Sequence, residues 1–319
     1  MKRVTIGDVA AHAGVSTATV SRVLNGGLVA ESTAARVWEA AESLGYSPNA
    51  LTRSIFAGRS STIGVIIRDL SSPFYLDLIR GIDEVAAASD SPVMLANTYR
   101  RADREAAQVR AMDQQRVRGL IITADETADS QARRMAENGT PCVIVARNPP
   151  GLHSVSLDDV AAGELMAAHL ADCGRSRVGV VSGRNRPTQV KRVTGLRHGL
   201  VERGLPEPEE VLVENEDEVD AAVGSLLHRN DTVVCTTGRL TVSVHTALTA
   251  RGLKMPDDIG FLTMDDFPWA STLGISVVAQ PAYEMGRRAA ELVVEEPAVP
   301  ARIVFQPTLI ARGSCGSGA

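Results

Sequence analysis

Val4-Thr5-Ile6-Gly7-Asp8-Val9-Ala10-Ala11-His12-Ala13-Gly14-Val15-Ser16-Thr17-Ala18-Thr19-Val20-Ser21-Arg22-Val23-Leu24-Asn25 is the most informative stretch of this 319-residue chain. Residues 8–13 read as a short helix that stops at Gly14, a residue that accepts the positive φ of a tight turn. Ser16 offers an N-cap to a second helix over 17–24, which Asn25-Gly26-Gly27 ends. A third helix over 32–44 places Ala35, Val37, Trp38, Ala41 and Leu44 at helical spacing and ends at Gly45. A small residue at Ala10, glycine four later, then apolar Val15, Val20 and Val23 is the spacing of a helix-turn-helix. In that register Ser16, Thr17, Ala18, Ser21 and Arg22 face outward. A guanidinium forks onto guanine or pairs with phosphate, and hydroxyls suit either phosphate or base edges. The pattern therefore points to a DNA-contacting surface, with a small helical cap unrelated to DNA as the alternative.

Outward from this segment, residues 47–61 contain Pro48 and Gly58 around one short helical stretch and read as a linker. From Thr62 the rhythm changes. Ile63-Gly64-Val65-Ile66-Ile67, Val93-Met94-Leu95-Ala96, Leu120-Ile121-Ile122 and Val143-Ile144-Val145 are apolar runs of strand length. So are Val178-Gly179-Val180-Val181, Thr232-Val233-Val234-Cys235 and Ile259-Gly260-Phe261-Leu262. Amphipathic helices, over 74–88 and 104–115 for example, separate them, which predicts parallel sheets covered on both faces. Such a stretch makes one large domain or two similar lobes. Residues 313–319 are expected to form a flexible tail.

Composition sets the outer bounds. The hydrophobic fraction of 44% is that of an ordinary globular protein with a sizeable core. No window approaches the ~18 apolar residues of a membrane helix, and no apolar run follows the charged N-terminus. Cys142, Cys173, Cys235 and Cys315 lack C-x-x-C spacing, so a reduced cytosolic protein without a zinc site is expected. The net charge is −5, yet residues 1–60 carry +2 and the remainder −7. Attraction to phosphate depends on local patches, so the acidic total does not argue against DNA.

The stretches Val4–Ala10 and Ala13–Gly26, with Leu44-Gly45-Tyr46-Ser47-Pro48-Asn49-Ala50-Leu51-Thr52-Arg53-Ser54, resemble the headpiece of the lactose-repressor/galactose-repressor (LacI/GalR) family. Ser72-Pro73-Phe74, Arg118-Gly119-Leu120-Ile121-Ile122, Pro256-Asp257-Asp258-Ile259, Asp265-Asp266 and Gln280-Pro281 continue the match in the family's order. The resemblance implies an all-α helix-turn-helix headpiece over 1–46, a hinge helix and linker over 47–61, and an α/β core over 62–312. That core consists of two Rossmann-like lobes of the periplasmic-binding-protein type. The resemblance also implies a bacterial, cytoplasmic transcription regulator, more often a repressor, that binds near-palindromic double-stranded operator DNA as a homodimer and uses no cofactor. Thr5, Ser16, Thr17, Ala18, Ser21, Arg22, Asn25 and Asn49 fall at DNA-contacting positions. Ile55 aligns with the hinge's minor-groove wedge, with packing against the core as its alternative.

The same resemblance places a small-molecule effector between the lobes, at Phe74, Arg147, Arg186, Thr188, Arg192, Thr237, Asp266 and Trp269. Trp269 either stacks on a sugar face or fills a lobe interface. The departures are informative. Thr237-Gly238 stands where the family has Asn-Asp, and Val145-Ala146-Arg147 where it has Val-Asp-Arg. Two missing carboxylates argue against an ordinary neutral sugar, and Arg147, Arg186 and Arg192 favour an anionic or phosphorylated effector over a neutral one. Loss of effector response is the other outcome compatible with these changes. No G-x-S-x-G, G-x-x-x-x-G-K-[ST] or H-E-x-x-H motif is present, and the six histidines lie at least 16 residues apart, so an enzyme is not expected. The remaining alternative is a cytosolic small-molecule-binding module with a vestigial headpiece.

Overall fold

The computed structural model describes residues 4–24, 27–46, 60–123, 126–184 and 187–316. They divide into two compact units. One is N-terminal, to Ser61, with the short stretch Gln114–Arg118 assigned to it; the other comprises Thr62–Asp113 and Gly119–Ala319.

The N-terminal unit contains α1 (Ile6–Ala13), α2 (Thr17–Leu24) and α3 (Glu31–Ser43). Thr5 starts α1 through a reciprocal capping box with Asp8, each satisfying a backbone N–H of the other. Gly14 ends it at φ 66°, where a side chain would be strained. Ser16 Oγ accepts from the Thr19 N–H at 3.1 Å and so caps α2, as its position predicts. Val9, Ala10, Ala13, Val20, Val23, Val37, Ala40 and Ala41 form the buried core, with Val15 and Leu44 packed against it. The inward stripe of α3 is thus shifted from the expected one: Trp38 is 52% exposed, and Ala40 takes its place inside.

The second unit holds two six-stranded sheets. The first is ordered β11-β5-β4-β3-β1-β2, from β1 (Ile63–Ile67), β2 (Val93–Asn97), β3 (Gly119–Ile122), β4 (Cys142–Val145), β5 (His153–Leu157) and β11 (Arg302–Phe305). The second is ordered β12-β10-β9-β8-β6-β7, from β6 (Val178–Gly183), β7 (Glu209–Val213), β8 (Thr232–Cys235), β9 (Gly260–Met264), β10 (Ser276–Ala279) and β12 (Thr308–Ile310). All pairings are parallel except β12 on β10. Central strands such as β1, β3, β4, β8 and β9 are buried throughout, which is why they read as unbroken apolar runs. Two similar lobes, rather than one large domain, are therefore formed.

Each lobe contains one helix pair in backbone contact. In the second lobe, Asp159–Asp172 lies against Pro187–Glu202, and a Cβ on Gly163 or Gly195 would collide with the carbonyl of Arg192 or Val160. In the first, Pro73–Ala88 lies against Ala282–Glu295 through Gly81 and Gly286 in the same manner. The chain beyond Arg312 departs from the expected flexible tail as far as Gly316. Ser314 Oγ donates to the Phe261 carbonyl at 2.5 Å and accepts from the Ser276 N–H at 2.8 Å, and Cys315 is fully buried. Short polar and sulfur side chains at these positions complete hydrogen bonds of the second lobe, which glycine-rich composition alone does not reveal.

Candidate DNA-reading face and effector cleft

On the N-terminal unit, burial of Val20 and Val23 turns the opposite face of α2 outward. Thr17, Ala18 and Arg22 are exposed and Ser21 is half-buried, so 17 and 21, and 18 and 22, stack at one-turn spacing. The Ser16 hydroxyl is engaged by Thr19, at 2.9 Å to its Oγ1, and Thr5 by Asp8, at 2.7 Å to Oδ2. Both hydroxyls thus set helix geometry, while Thr17, Ala18 and Arg22 lie exposed along one edge of α2. Asn25, Asn49 and Ile55 lie outside the described residues.

In the second unit the cleft between the lobes encloses about 720 Å³ out to its open mouth. Phe74, Thr188, Arg192 and Thr237 line it. Arg192, 6% exposed, organises the floor. Its Nε donates to Asp159 Oδ1 at 2.8 Å, Nη1 to the Thr236 carbonyl at 2.8 Å and Nη2 to Gln280 Oε1 at 3.3 Å. Gln280 Nε2 then donates to Asp265 Oδ1 at 2.6 Å, and the Gly238 N–H to Asp265 Oδ2 at 3.2 Å. The glycine contact between the second-lobe helices is what brings Arg192 onto Asp159. Burial raises the Asp265 carboxyl above the ordinary aspartate value, and the neighbouring Arg192 cation opposes this only in part. Asp159 is raised for the same reasons. Gln189 Oε1 receives the Gly183 N–H at 2.6 Å and the Thr236 hydroxyl at 3.0 Å.

Three expected cleft residues stand elsewhere. Arg147 turns into an adjacent hollow and grips both oxygens of Asp129, at 3.0 and 2.6 Å, because that buried carboxylate offers it a fork-shaped partner. Asp266 pairs with Arg312 at 2.6 Å, and it is Asp265, at φ 69°, whose side chain faces the cleft. Trp269, half-buried, packs on Phe267, ring centroids 4.0 Å apart, against the hydrophobic core of the second lobe. Arg186 lies outside the described residues. Ala146 and Gly238 leave positions 146 and 238 without carboxylates, and the carboxylate that faces the cleft is Asp265, whose Oδ2 accepts from the Gly238 N–H.

Arg68, Arg100, Arg239 and Gln280 also line the cleft and were not anticipated. Arg68 directly follows β1, and Asp265 directly follows β9, so the rule that ligands gather at strand C-termini was the available signal. Among the described residues no helix is long and apolar enough to cross a membrane, and no group of three His, Cys, Asp or Glu side chains is arranged to hold a metal.

A helix-turn-helix unit and a two-lobed, doubly wound core with a polar cleft define a transcription regulator of the periplasmic-binding-protein-like class. Residues 5–49 match the model of bacterial regulatory proteins of the lacI family, and residues 60–312 that of periplasmic binding proteins and the sugar binding domain of the LacI family. Catabolite control protein A of Priestia megaterium is 32% identical over 92% of this chain and 92% of its own. The ribose operon repressor of Escherichia coli K12 is 31% identical, over 97% and 99%. The lac repressor dimer bound to operator and the anti-inducer ONPF shares the fold at a TM-score of 0.84, with 21% identity over 99% and 100% of the two chains. The chain belongs to the LacI family of DNA-binding transcription regulators.

Proposed function

We propose that this regulator binds near-palindromic operator DNA as a homodimer in the bacterial cytoplasm, and that a small molecule held in the cleft sets its operator affinity. The observation that carries the DNA reading is the face of α2. Its inner side is sealed by Val20 and Val23, its start is capped by Ser16, and Thr17, Ala18 and Arg22 are presented outward. With Thr17 and Ala18 short, Arg22 supplies the main base discrimination, and Ala18 and Thr17 offer methyl contacts to thymine. Asn49 and Ile55 complete the proposed contact set at the hinge. Support for an effector comes from the polar cleft and from the sugar-binding description of the family core. Repression is the favoured direction of control.

The test is selection of bound DNA from a random library by the purified full chain at physiological salt. Enrichment of a near-palindrome is expected. Arg22→Ala is expected to cost about 1–3 kcal/mol of discrimination at one position in each half-site. A folded protein that enriches nothing would overturn unaided operator recognition.

A further inference from the structure

β5 begins at His153 and pairs with β4, which begins at Cys142. Ala146 directly follows β4 and lines the effector cleft, so His153 stands at the opposite end of the same sheet. There a separate pocket encloses about 980 Å³ out to its mouth. Pro141, Leu152, Pro297 and Pro300 give it apolar walls, and His153 and Arg133 line it as well. His153 is 9% exposed, and its Nδ1 accepts the Ala301 N–H at 3.0 Å. A backbone N–H can only donate, so Nδ1 carries no proton and the ring proton sits on Nε2. Burial lowers the imidazole pKa, which keeps the ring neutral near pH 7. The Nε2–H has no acceptor among the described residues, a costly condition for a donor so nearly enclosed. Arg133 Nε donates to the Pro150 carbonyl at 3.3 Å, and no carboxylate of the described residues pairs with its guanidinium.

We infer that this pocket is a second small-molecule site for an apolar organic acid, whose carboxylate accepts from the His153 Nε2–H and from the Arg133 guanidinium. A carboxylate has two acceptor oxygens and serves both donors, the bond from the guanidinium being charge-assisted at each end. Proline and leucine walls cover the carbon skeleton, in keeping with sites that are mostly apolar and hold a few placed polar groups. Glu137 and Glu296 also line the pocket and are exposed. One guanidinium beside two solvent-screened carboxylates suits a monoanion better than a phosphate dianion, which both glutamates would repel more strongly. Ligands of such sheets gather at strand C-termini, whereas these donors stand where strands begin. Occupation of the pocket therefore needs no ligand in the cleft.

The experiment is an NMR titration of the full chain, labelled with ¹⁵N-histidine, with benzoate, benzyl alcohol and inorganic phosphate as probes. Affinity is read from the probe signals by saturation transfer, and place from the His153 Nε2–H resonance. Benzoate is expected to shift that resonance saturably, to bind about tenfold or more tighter than benzyl alcohol, and to withstand a tenfold excess of phosphate. His153→Asn puts an amide oxygen where Nδ1 accepts from Ala301 but is too short to replace the Nε2–H; it is expected to abolish benzoate binding. His153→Gln keeps a donor near the Nε2 position and is expected to retain part of it, an order that a purely structural histidine would reverse. Arg133→Gln is expected to weaken benzoate about tenfold. If His153→Asn does not fold, His153→Gln and Arg133→Gln carry the test. Benzoate that leaves the His153 resonance unmoved, benzyl alcohol binding as tightly, displacement by phosphate, or undiminished binding by His153→Asn or Arg133→Gln overturns the proposal.

Discussion

The Gly238 N–H donates to Asp265 Oδ2 at 3.2 Å, and the space a Cβ on residue 238 would need is occupied by that same carboxylate. The two positions, at the ends of β8 and β9, thus exchange roles: one gives up its side chain and the other fills the volume with an acid. Gly238→Ala is expected to destabilise the core by about 1–3 kcal/mol, the usual cost of overpacking a rigid site. Asp265→Ala removes the obstacle along with its hydrogen bonds. The double variant should therefore cost less than the sum of the singles, with a coupling of about 0.5 kcal/mol or more, readable by urea unfolding of all four proteins. Additive costs would show that residue 238 is free of Asp265.

Burial of Asp265 carries a pH signature. Its folded-state pKa is raised, so the native protein holds this proton more tightly than the unfolded chain does. The corresponding stability is complete below the unfolded aspartate pKa of about 3.9 and is lost as pH rises through the folded value. Asp265→Asn has no such proton to lose. The parent should accordingly lose stability relative to the variant as pH climbs from the ordinary aspartate range toward neutrality. Parallel unfolding profiles of the two proteins across that window would contradict the burial argument.

Much of this architecture is legible in order along the chain. The apolar runs that open at Ile63 and close at Leu262 are all strands, and all but the edge strand β2, where Met94 and Leu95 are exposed, are buried central ones. The turn at Gly14 and the cap at Ser16 are read equally directly, because each depends on a single residue's local chemistry. Side-chain direction at the strand ends is not. Whether Asp265 or Asp266 faces the cleft depends on the left-handed turn at 265, and whether Arg147 enters it depends on Asp129, 18 residues away in sequence. Arg68, Arg100 and Arg239 line one cleft from separate stretches of the chain, so no window of sequence contains them together.

Ala146 ends β4 at φ 68° as Asp265 ends β9 at φ 69°, with the N–H of each donating to the neighbouring strand, at Val155 and Val278. Aspartate tolerates the left-handed region through its short polar side chain, whereas alanine pays a steric penalty there and gains nothing in return. Ala146→Gly is expected to raise core stability by about 1 kcal/mol. A rise in the urea midpoint with unchanged slope would show it, and a fall would mean that the Ala146 methyl contributes more packing than its backbone costs.

Helix geometry and base reading should separate cleanly in the headpiece. Thr5 and Asp8 exchange hydrogen bonds at 2.8 and 3.3 Å, satisfying backbone donors at the start of α1, while Arg22 is exposed on α2. Thr5→Ala is expected to cost about 1 kcal/mol of headpiece stability and to weaken binding to all DNA sequences alike. Arg22→Ala is expected to leave headpiece stability within about 0.5 kcal/mol and to weaken the selected operator more than random duplex. Competition titrations against both DNAs, with melting of the headpiece alongside, distinguish the two patterns. A uniform loss from Arg22→Ala would make it a phosphate contact instead.

Ser314 stitches the last described residues into the second lobe. Its hydroxyl spans the Phe261 carbonyl and the Ser276 N–H, and the Phe261 N–H returns to the Ser314 carbonyl at 2.9 Å. Beside it, Arg175 Nε donates to the Cys315 carbonyl at 2.9 Å, and burial pushes the Cys315 thiol up to about 12. Ser314→Ala leaves the buried Ser276 N–H without its acceptor and the Phe261 carbonyl with only the weaker Cys315 thiol donor, a loss of about 1–3 kcal/mol in unfolding free energy. Because the same strands β9 and β10 end at the cleft, the variant should also weaken effector binding through Asp265 rather than through any contact of its own. A thiol reagent at mildly alkaline pH should spare Cys315 in the parent and label it faster in Ser314→Ala, since local opening is what exposes it. Equal stability and equal labelling would mean that residues beyond Arg312 contribute nothing to the lobe.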